Sequence, residues 1–167
     1  TPNASVVNTA DVVCNGGNAN IAISNLTTPT TPGNLSADIT VSSDNPGATG
    51  GTAFTTLPLL NQTYPISSIT GDLTNSSDVF ITLTYTITPK LLGCPDGTPI
   101  TTTVRIEPTP KAAINNTDFV ISNGGNTAIA ITTPSVSTNL PDLQFDLAVS
   151  SSNGPATGGT AFAALSN

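Results

Sequence analysis

The 167-residue sequence contains no histidine, methionine or tryptophan and only two cysteines, Cys14 and Cys94. Without histidine there is no Ser–His or Cys–His nucleophile. The ten acids form no obvious pair placed to raise one another's pKa, and Glu107 is the only glutamate. The chain is therefore not expected to be an enzyme. Basic residues are scarcer still: Lys90, Arg105 and Lys111 stand against those acids, for a net charge of −7. Nucleic-acid binding needs clustered Lys and Arg to neutralise phosphates, so that class is excluded, and an anionic membrane surface is disfavoured. The acidity serves solubility. There is no long apolar run, so no membrane insertion is expected. No leader segment precedes the repeating pattern at residue 1, so the expectation is a mature product or a piece of a longer chain.

What is abundant is Thr, Ser and Asn, with 14 Gly and 14 Pro between short stretches of Val, Ile, Leu and Ala. Charged residues make up only 8 %, so hydroxyls and amides hold the water. A β-branched, turn-rich chain of this kind reads as all-β.

The sequence repeats itself. "CNGGNANIAI" at 14–23 returns as "SNGGNTAIAI" at 122–131, and "DITVSSDNPGATGGTAF" at 38–54 returns as "DLAVSSSNGPATGGTAF" at 146–162. The offset is 108 residues throughout (14 to 122), without a gap, and 28 of 59 aligned positions are identical. The unit is thus 108 residues: 1–108 is a whole repeat and 109–167 covers the first half of a second.

Within the first repeat, "VFITLTYTIT" at 79–88 alternates perfectly, with Val79, Ile81, Leu83, Tyr85 and Ile87 inward. Pro89 is expected to stop it, since proline cannot donate to a ladder. "ITTTVRIEP" at 100–108 completes a hairpin. Shorter strands are expected at 5–7, 11–14, 19–24 and 37–43, with weaker ones at 64–70 and 73–75, and "NGGN" at 15–18 as a turn with positive φ. About seven short strands in 108 residues fit a β-sandwich of immunoglobulin-like type, repeated in tandem.

The even cysteine count suggests an oxidising compartment and a Cys14–Cys94 disulfide, with two separate buried thiols as the alternative. Such a bond would close a loop of about 80 residues, worth roughly 4 kcal/mol on the chain-entropy model. Ser122 stands where the second repeat would need its first cysteine.

The strings "VVCNGGNANIAI", "LTNSSDVFITLTYTITP" and "GCPDGTPITTTVRIEPTP" resemble the PKD-like, immunoglobulin-like repeats of Bacteroidota cell-surface proteins. The matching details are Leu73 and Asn75, Tyr85, Thr88–Pro89, Gly93–Cys94, Gly97 and the closing Pro108-Thr109-Pro110. The resemblance implies an extracellular, cell-surface location. It also implies membership of a long adhesin, including the gliding-motility kind, in which such repeats are mostly spacers. The expected partners are neighbouring repeats of the same chain or other copies of the protein.

Other chemistry is thin. No cofactor is expected. Calcium is the ion to consider, through Asp38 and Asp44 or Asp72 and Asp78, but no D-x-D-x-D-G loop exists and turn-forming Asp is the simpler reading. A glycan-binding tip is the competing function. It would need aromatic platforms, and the candidates are Tyr64 and Phe80, because Tyr85 falls on the inward face. Thr82, Thr84, Thr86 and Thr88 form a polar row spaced about 7 Å apart. Such rows occur on ice-binding surfaces and on any exposed Thr-rich strand. The six N-x-S/T sequons, at Asn3, Asn25, Asn34, Asn61, Asn75 and Asn115, are no more than this composition gives by chance.

The half-repeat raises its own question. Phe119, Ile121, Ile129, Ile131, Phe145, Leu147 and Phe162 are the side chains a completed sandwich would cover, and they are the expected partner-strand interface. Either further chain continues the repeat, or strands of another chain complete it. "TGGTAF", at 49–54 and 157–162, reads as a loop-and-anchor signature of the unit, with Phe54 and Phe162 returning to the core.

Overall fold

The computed structural model describes residues 1–28, 35–50, 57–58, 69–137, 144–148 and 165–166. Among them there is strand and turn and no helix. The chain divides into two compact units, Thr1–Thr109 and Pro110–Asn167.

Among the described residues the first unit holds nine strands: β1 Ala4–Asn8, β2 Val12–Val13, β3 Asn18–Asn25, β4 Leu35–Ser43, β5 Ala48–Gly50, β6 Leu57–Pro58, β7 Ile69–Asn75, β8 Ile81–Leu91 and β9 Ile100–Ile106. One sheet has the order β1-β3-β7-β5, the other β2-β9-β8-β4-β6. Ile21, Ile23, Ile69 and Leu73 from the first sheet and Ile39, Ile81, Leu83, Tyr85, Ile87, Val104 and Ile106 from the second form a single buried cluster. The two sheets thus enclose one core. The N-terminal strand is split between them. β1 pairs antiparallel with β3, and β2 pairs parallel with β9. The switch is secured by Thr9 N–H donating to the Asn20 carbonyl at 3.1 Å and Arg105 N–H donating to the Asp11 carbonyl at 2.8 Å.

The alternation of β8 is realised from Ile81 onward, with every second residue buried. Tyr85 is fully enclosed, as its place in the pattern predicts. Two expectations fail at the ends of this strand. Val79 is exposed, because the strand begins only at Ile81. Pro89 does not stop the strand, which continues to Leu91 with Pro89 opposite Ala37 of β4. The reason is directional. In a strand a residue's N–H and C=O point to the same side. The Pro89 carbonyl accepts from Gly97 N–H at 2.8 Å, so the missing donor faces the β8–β9 turn and costs the ladder with β4 nothing.

The weaker strands expected at 64–70 and 73–75 meet in one strand, β7, over Ile69–Asn75; residues 64–68 lie outside the described residues. Gly71 adopts φ 148°, which a side chain would resist, and still pairs with Ala19 of β3.

The second unit holds β10 Ala113–Asn116, β11 Ile129–Thr132, β12 Gln144–Phe145 and β13 Leu165–Ser166. β10 and β11 pair antiparallel, Ala113 with Thr132 through Asn116 with Ile129. Shifted by 108 residues, this is the register of Ser5 with Ser24 through Asn8 with Ile21 in the first unit. The side-chain contacts repeat as well. Asn116 Oδ1 accepts from Asp118 N–H at 3.1 Å, as Asn8 Oδ1 accepts from Ala10 N–H at 3.0 Å. Lys111 N–H donates to Ser135 Oγ at 3.0 Å, as Asn3 N–H donates to Thr27 Oγ1 at 2.7 Å.

Candidate functional site

The first unit has two poles. At one lie Pro2 and the β8–β9 turn. Pro2 is fully buried, and its backbone lies so close to Gly97 that a Cβ there would collide with the Pro2 carbonyl. Lys90 Nζ reaches Asp38 at 2.5 Å and Asp96 at 3.6 Å. The Asp38 hydrogen bond and both carboxylate charges raise the lysine pKa above its ordinary value. At the opposite pole lie the Asn15–Gly17 turn, the end of β7 and the start of the linker. β8 spans the two, since Pro89 meets Gly97 and Ile81 lies opposite Ile106. Eight residues of strand separate Ile81 from Pro89, about 26 Å.

The C-terminal pole is built around Asn75, which is 3 % exposed. Its Nδ2 donates to the Val79 carbonyl at 2.8 Å and the Ile106 carbonyl at 3.0 Å. Its Oδ1 accepts from Ser77 N–H at 2.9 Å and Ser77 Oγ at 2.8 Å. Its backbone N–H donates to Asn15 Oδ1 at 2.7 Å, and Asn15 Nδ2 donates onward to Thr109 Oγ1 at 2.6 Å. Two asparagines therefore tie the first turn, β7, β9 and the linker together. Asn75 is committed to this network, so its sequon is not open to a glycan in the folded unit.

The turn beside it receives β7 through its backbone. Gly16 N–H donates to the Leu73 carbonyl and Leu73 N–H donates to the Gly17 carbonyl, both at 2.8 Å. Gly16 has φ 84°. A Cβ on Gly17 would stand 2.9 Å from the Cys14 carbonyl oxygen, so the two glycines are needed for different reasons.

The expected Cys14–Cys94 pairing is not formed: both thiols are free and exposed. The topology gives the reason. Cys14 follows β2 at the C-terminal pole, and Cys94 sits in the β8–β9 turn at the other. The six residues of β9 between Ile100 and Ile106 alone separate them by about 20 Å, against the 4.4–6.8 Å between Cα atoms that a disulfide usually spans.

Phe80 is half-buried under the Arg105 guanidinium, 5.2 Å from the ring centroid, so it is not an open platform. Tyr64 lies outside the described residues, as do Phe54, Phe162 and most of both "TGGTAF" copies. The threonine row of β8 is flanked by further hydroxyls: Thr86 lies opposite Thr40 and Thr101, and Thr84 opposite Ser42 and Thr103. Among the described residues no three groups of His, Cys, Asp or Glu gather as metal ligands. Asp38 is engaged by Lys90, and Asp44 Oδ1 accepts from Thr82 N–H at 2.9 Å.

In the second unit the same first turn is present. Gly124 has φ 78°, Gly125 N–H donates to the Ser122 carbonyl at 2.8 Å, and a Cβ on Gly125 would stand 3.0 Å from that oxygen. Among the described residues, no strand pairs with the other edge of β11. Ile129 is 52 % exposed, whereas its counterpart Ile21 is 0 % exposed. Ile121 and Leu147 are exposed, and Ile131 and Phe145 half-buried. Their counterparts Val13, Ile39, Ile23 and Ala37 are all core. Covering an Ile, Leu or Phe side chain is worth roughly 1.5–3 kcal/mol. Phe119 behaves differently. It is 86 % exposed, but its counterpart Asp11 is exposed too, so the repeat does not assign it to a core.

Comparison with known proteins gives no matching family model, no matching curated protein and no matching solved structure.

Proposed function

We propose that this chain is a structural spacer, a stretch of tandem immunoglobulin-like units in a long bacterial cell-surface adhesin. The observation that carries the reading is the threading of the first unit. The chain comes in at the Pro2–Gly97 pole and leaves at the Asn15–Thr109 pole, and a buried contact or a hydrogen bond fixes it at each. A domain threaded from pole to pole adds its own length to an array. The strand order supports the immunoglobulin-like assignment: β1, β3, β7 and β5 on one side and β4, β8 and β9 on the other correspond to the A-B-E-D and C-F-G arrangement. The gapless period and the resemblance to PKD-like repeats support interchangeable units, an extracellular location, and neighbouring repeats or other copies as partners. The proline-bounded linker at 108–110 limits the conformations between units.

The competing reading is a tip module that binds a glycan or a protein. Glycan-array binding by the 167-residue chain, with Tyr64→Ala alongside, separates the two. The spacer reading expects no glycan to be held specifically. A glycan retained by the native chain and lost by the variant would replace the spacer with the tip.

A further inference from the structure

The two thiols that cannot meet within the first unit lie at its opposite poles, and both are free and exposed. Cys14 belongs to the exit. Its neighbour Asn15 donates from Nδ2 to Thr109 Oγ1 at 2.6 Å, and on its other side the Val13 carbonyl accepts from Glu107 N–H at 2.8 Å. Cys94 belongs to the entrance. It lies three residues before Gly97, which packs on the buried Pro2, and three residues span at most about 11 Å. The residue after Thr109 is Pro110, the counterpart of Pro2 at the 108-residue offset. The contact that follows Pro2 recurs after it, since Lys111 N–H donates to Ser135 Oγ as Asn3 N–H donates to Thr27 Oγ1. Pro110 thus opens a unit as Pro2 does. Where one copy of residues 1–108 follows another, the first brings Cys14 to the Pro108-Thr109-Pro110 linker and the second brings Cys94 to it. Thiols held about 20 Å apart within a unit then flank the same three residues.

We infer that Cys14 of one repeat forms a disulfide with Cys94 of the repeat that follows it, a staple across the junction. This rests on the spacer reading. The two thiols lose two protons and two electrons to a small disulfide of the glutathione class, which is reduced to two thiols in exchange. The partner is the adjoining repeat of the same chain and not a separate chain. The linker gives the two thiols an effective concentration that separate chains do not reach. The staple acts on a linker that its prolines already restrict, so it fixes the angle between the units it joins. Ser122 stands at the Cys14 position of the second unit, so the sequence sets the staple junction by junction.

The test joins one further copy of residues 1–108 ahead of the full 167-residue chain, which creates one junction of the required kind. Two variants each keep two cysteines. The junction variant carries Cys94→Ser in the first copy and Cys14→Ser in the second. The control variant carries Cys14→Ser in the first copy and Cys94→Ser in the second, which leaves thiols only at the outer poles. The replaced side chains are exposed, and the second unit already has serine at one of these positions, so folding is untouched. In oxidised glutathione the junction variant should form an intrachain disulfide at least about ten-fold faster than the control. Trypsin cuts after Lys90 and Arg105, so unreduced digests should hold peptide 1–90 of the first copy joined to peptide 91–105 of the second. Equal rates in the two variants, two thiols persisting in the junction variant, or disulfides formed only between chains would overturn the inference. Any of these, with array length still growing by a fixed step per repeat, would leave the spacer reading standing.

Discussion

Asn75→Ala tests the polar clip at the C-terminal pole. Asn75 is almost fully buried and makes four side-chain hydrogen bonds, of 2.8, 3.0, 2.9 and 2.8 Å. Water can replace the two to Ser77, which is only half-buried. The two from Nδ2 tie Val79, just before β8, to the end of β9 and are not replaced. At about 1 kcal/mol for each net bond, and more where a buried group loses its partner, the substitution should cost about 2–3 kcal/mol. That is a large share of the stability of a small domain. Both tyrosines of the chain, Tyr64 and Tyr85, lie in the first unit, so tyrosine fluorescence during urea unfolding reports that unit alone. With a urea dependence of about 2 kcal/mol/M, the midpoint should fall by roughly 1–1.5 M. Asn75→Asp should cost more than alanine despite its matching shape, since it sets a carboxylate against the Val79 and Ile106 carbonyl oxygens. A midpoint shift below about 0.3 M for alanine, or a milder effect from aspartate, would refute the clip.

Three further outcomes follow from the same geometry. Among the described residues the buried Tyr85 hydroxyl has no hydrogen-bond partner, so Tyr85→Phe should leave stability unchanged or raise it by up to about 1 kcal/mol in thermal unfolding. Burial raises the Tyr85 pKa from its ordinary 10.0 to about 12. The folded phenol keeps its proton where the unfolded one loses it. Stability should therefore hold below pH 10 and fall from there to about 12, and Tyr85→Phe should remove that fall. Gly97→Ala should cost about 1–3 kcal/mol by overpacking against Pro2 and Pro89, and should speed exchange of the Leu26 amide, which donates to the Asn3 carbonyl at 2.9 Å. Lys90→Ala, which removes an ion pair with both side chains about one-third exposed, should leave the thermal midpoint nearly unchanged, and what effect there is should shrink in high salt.

The parts of the fold that were legible in the sequence are those with a strict period. Ile81 to Ile87 alternate because one face of β8 is buried and the other wet, and the all-β reading and the β8–β9 hairpin follow from that. The 108-residue offset predicts a matched register in two strand pairs, and β1–β3 and β10–β11 share it. What the sequence conceals is direction and place. Pro89 reads as a stop unless one knows which side of the strand its missing N–H faces. Two cysteines read as a pair, since a count carries no distance. Asn75 is visible as part of a pattern, but an asparagine before two serines suits a turn or a sequon as well as a buried hub. Only its burial decides. Arg105 over Phe80 has no signal in the sequence beyond the place of Phe80 just before β8, which pairs with the strand that carries Arg105.

The central claim is that each unit is threaded from pole to pole and adds a fixed length to an array. Small-angle scattering on chains of one, two, three and four tandem copies of residues 1–108 tests it directly. β8 alone, at eleven residues, spans about 33 Å. The maximum dimension should therefore grow linearly, by roughly 35–40 Å per copy. Growth that flattens toward the cube-root-like scaling of a compact globule would contradict the account.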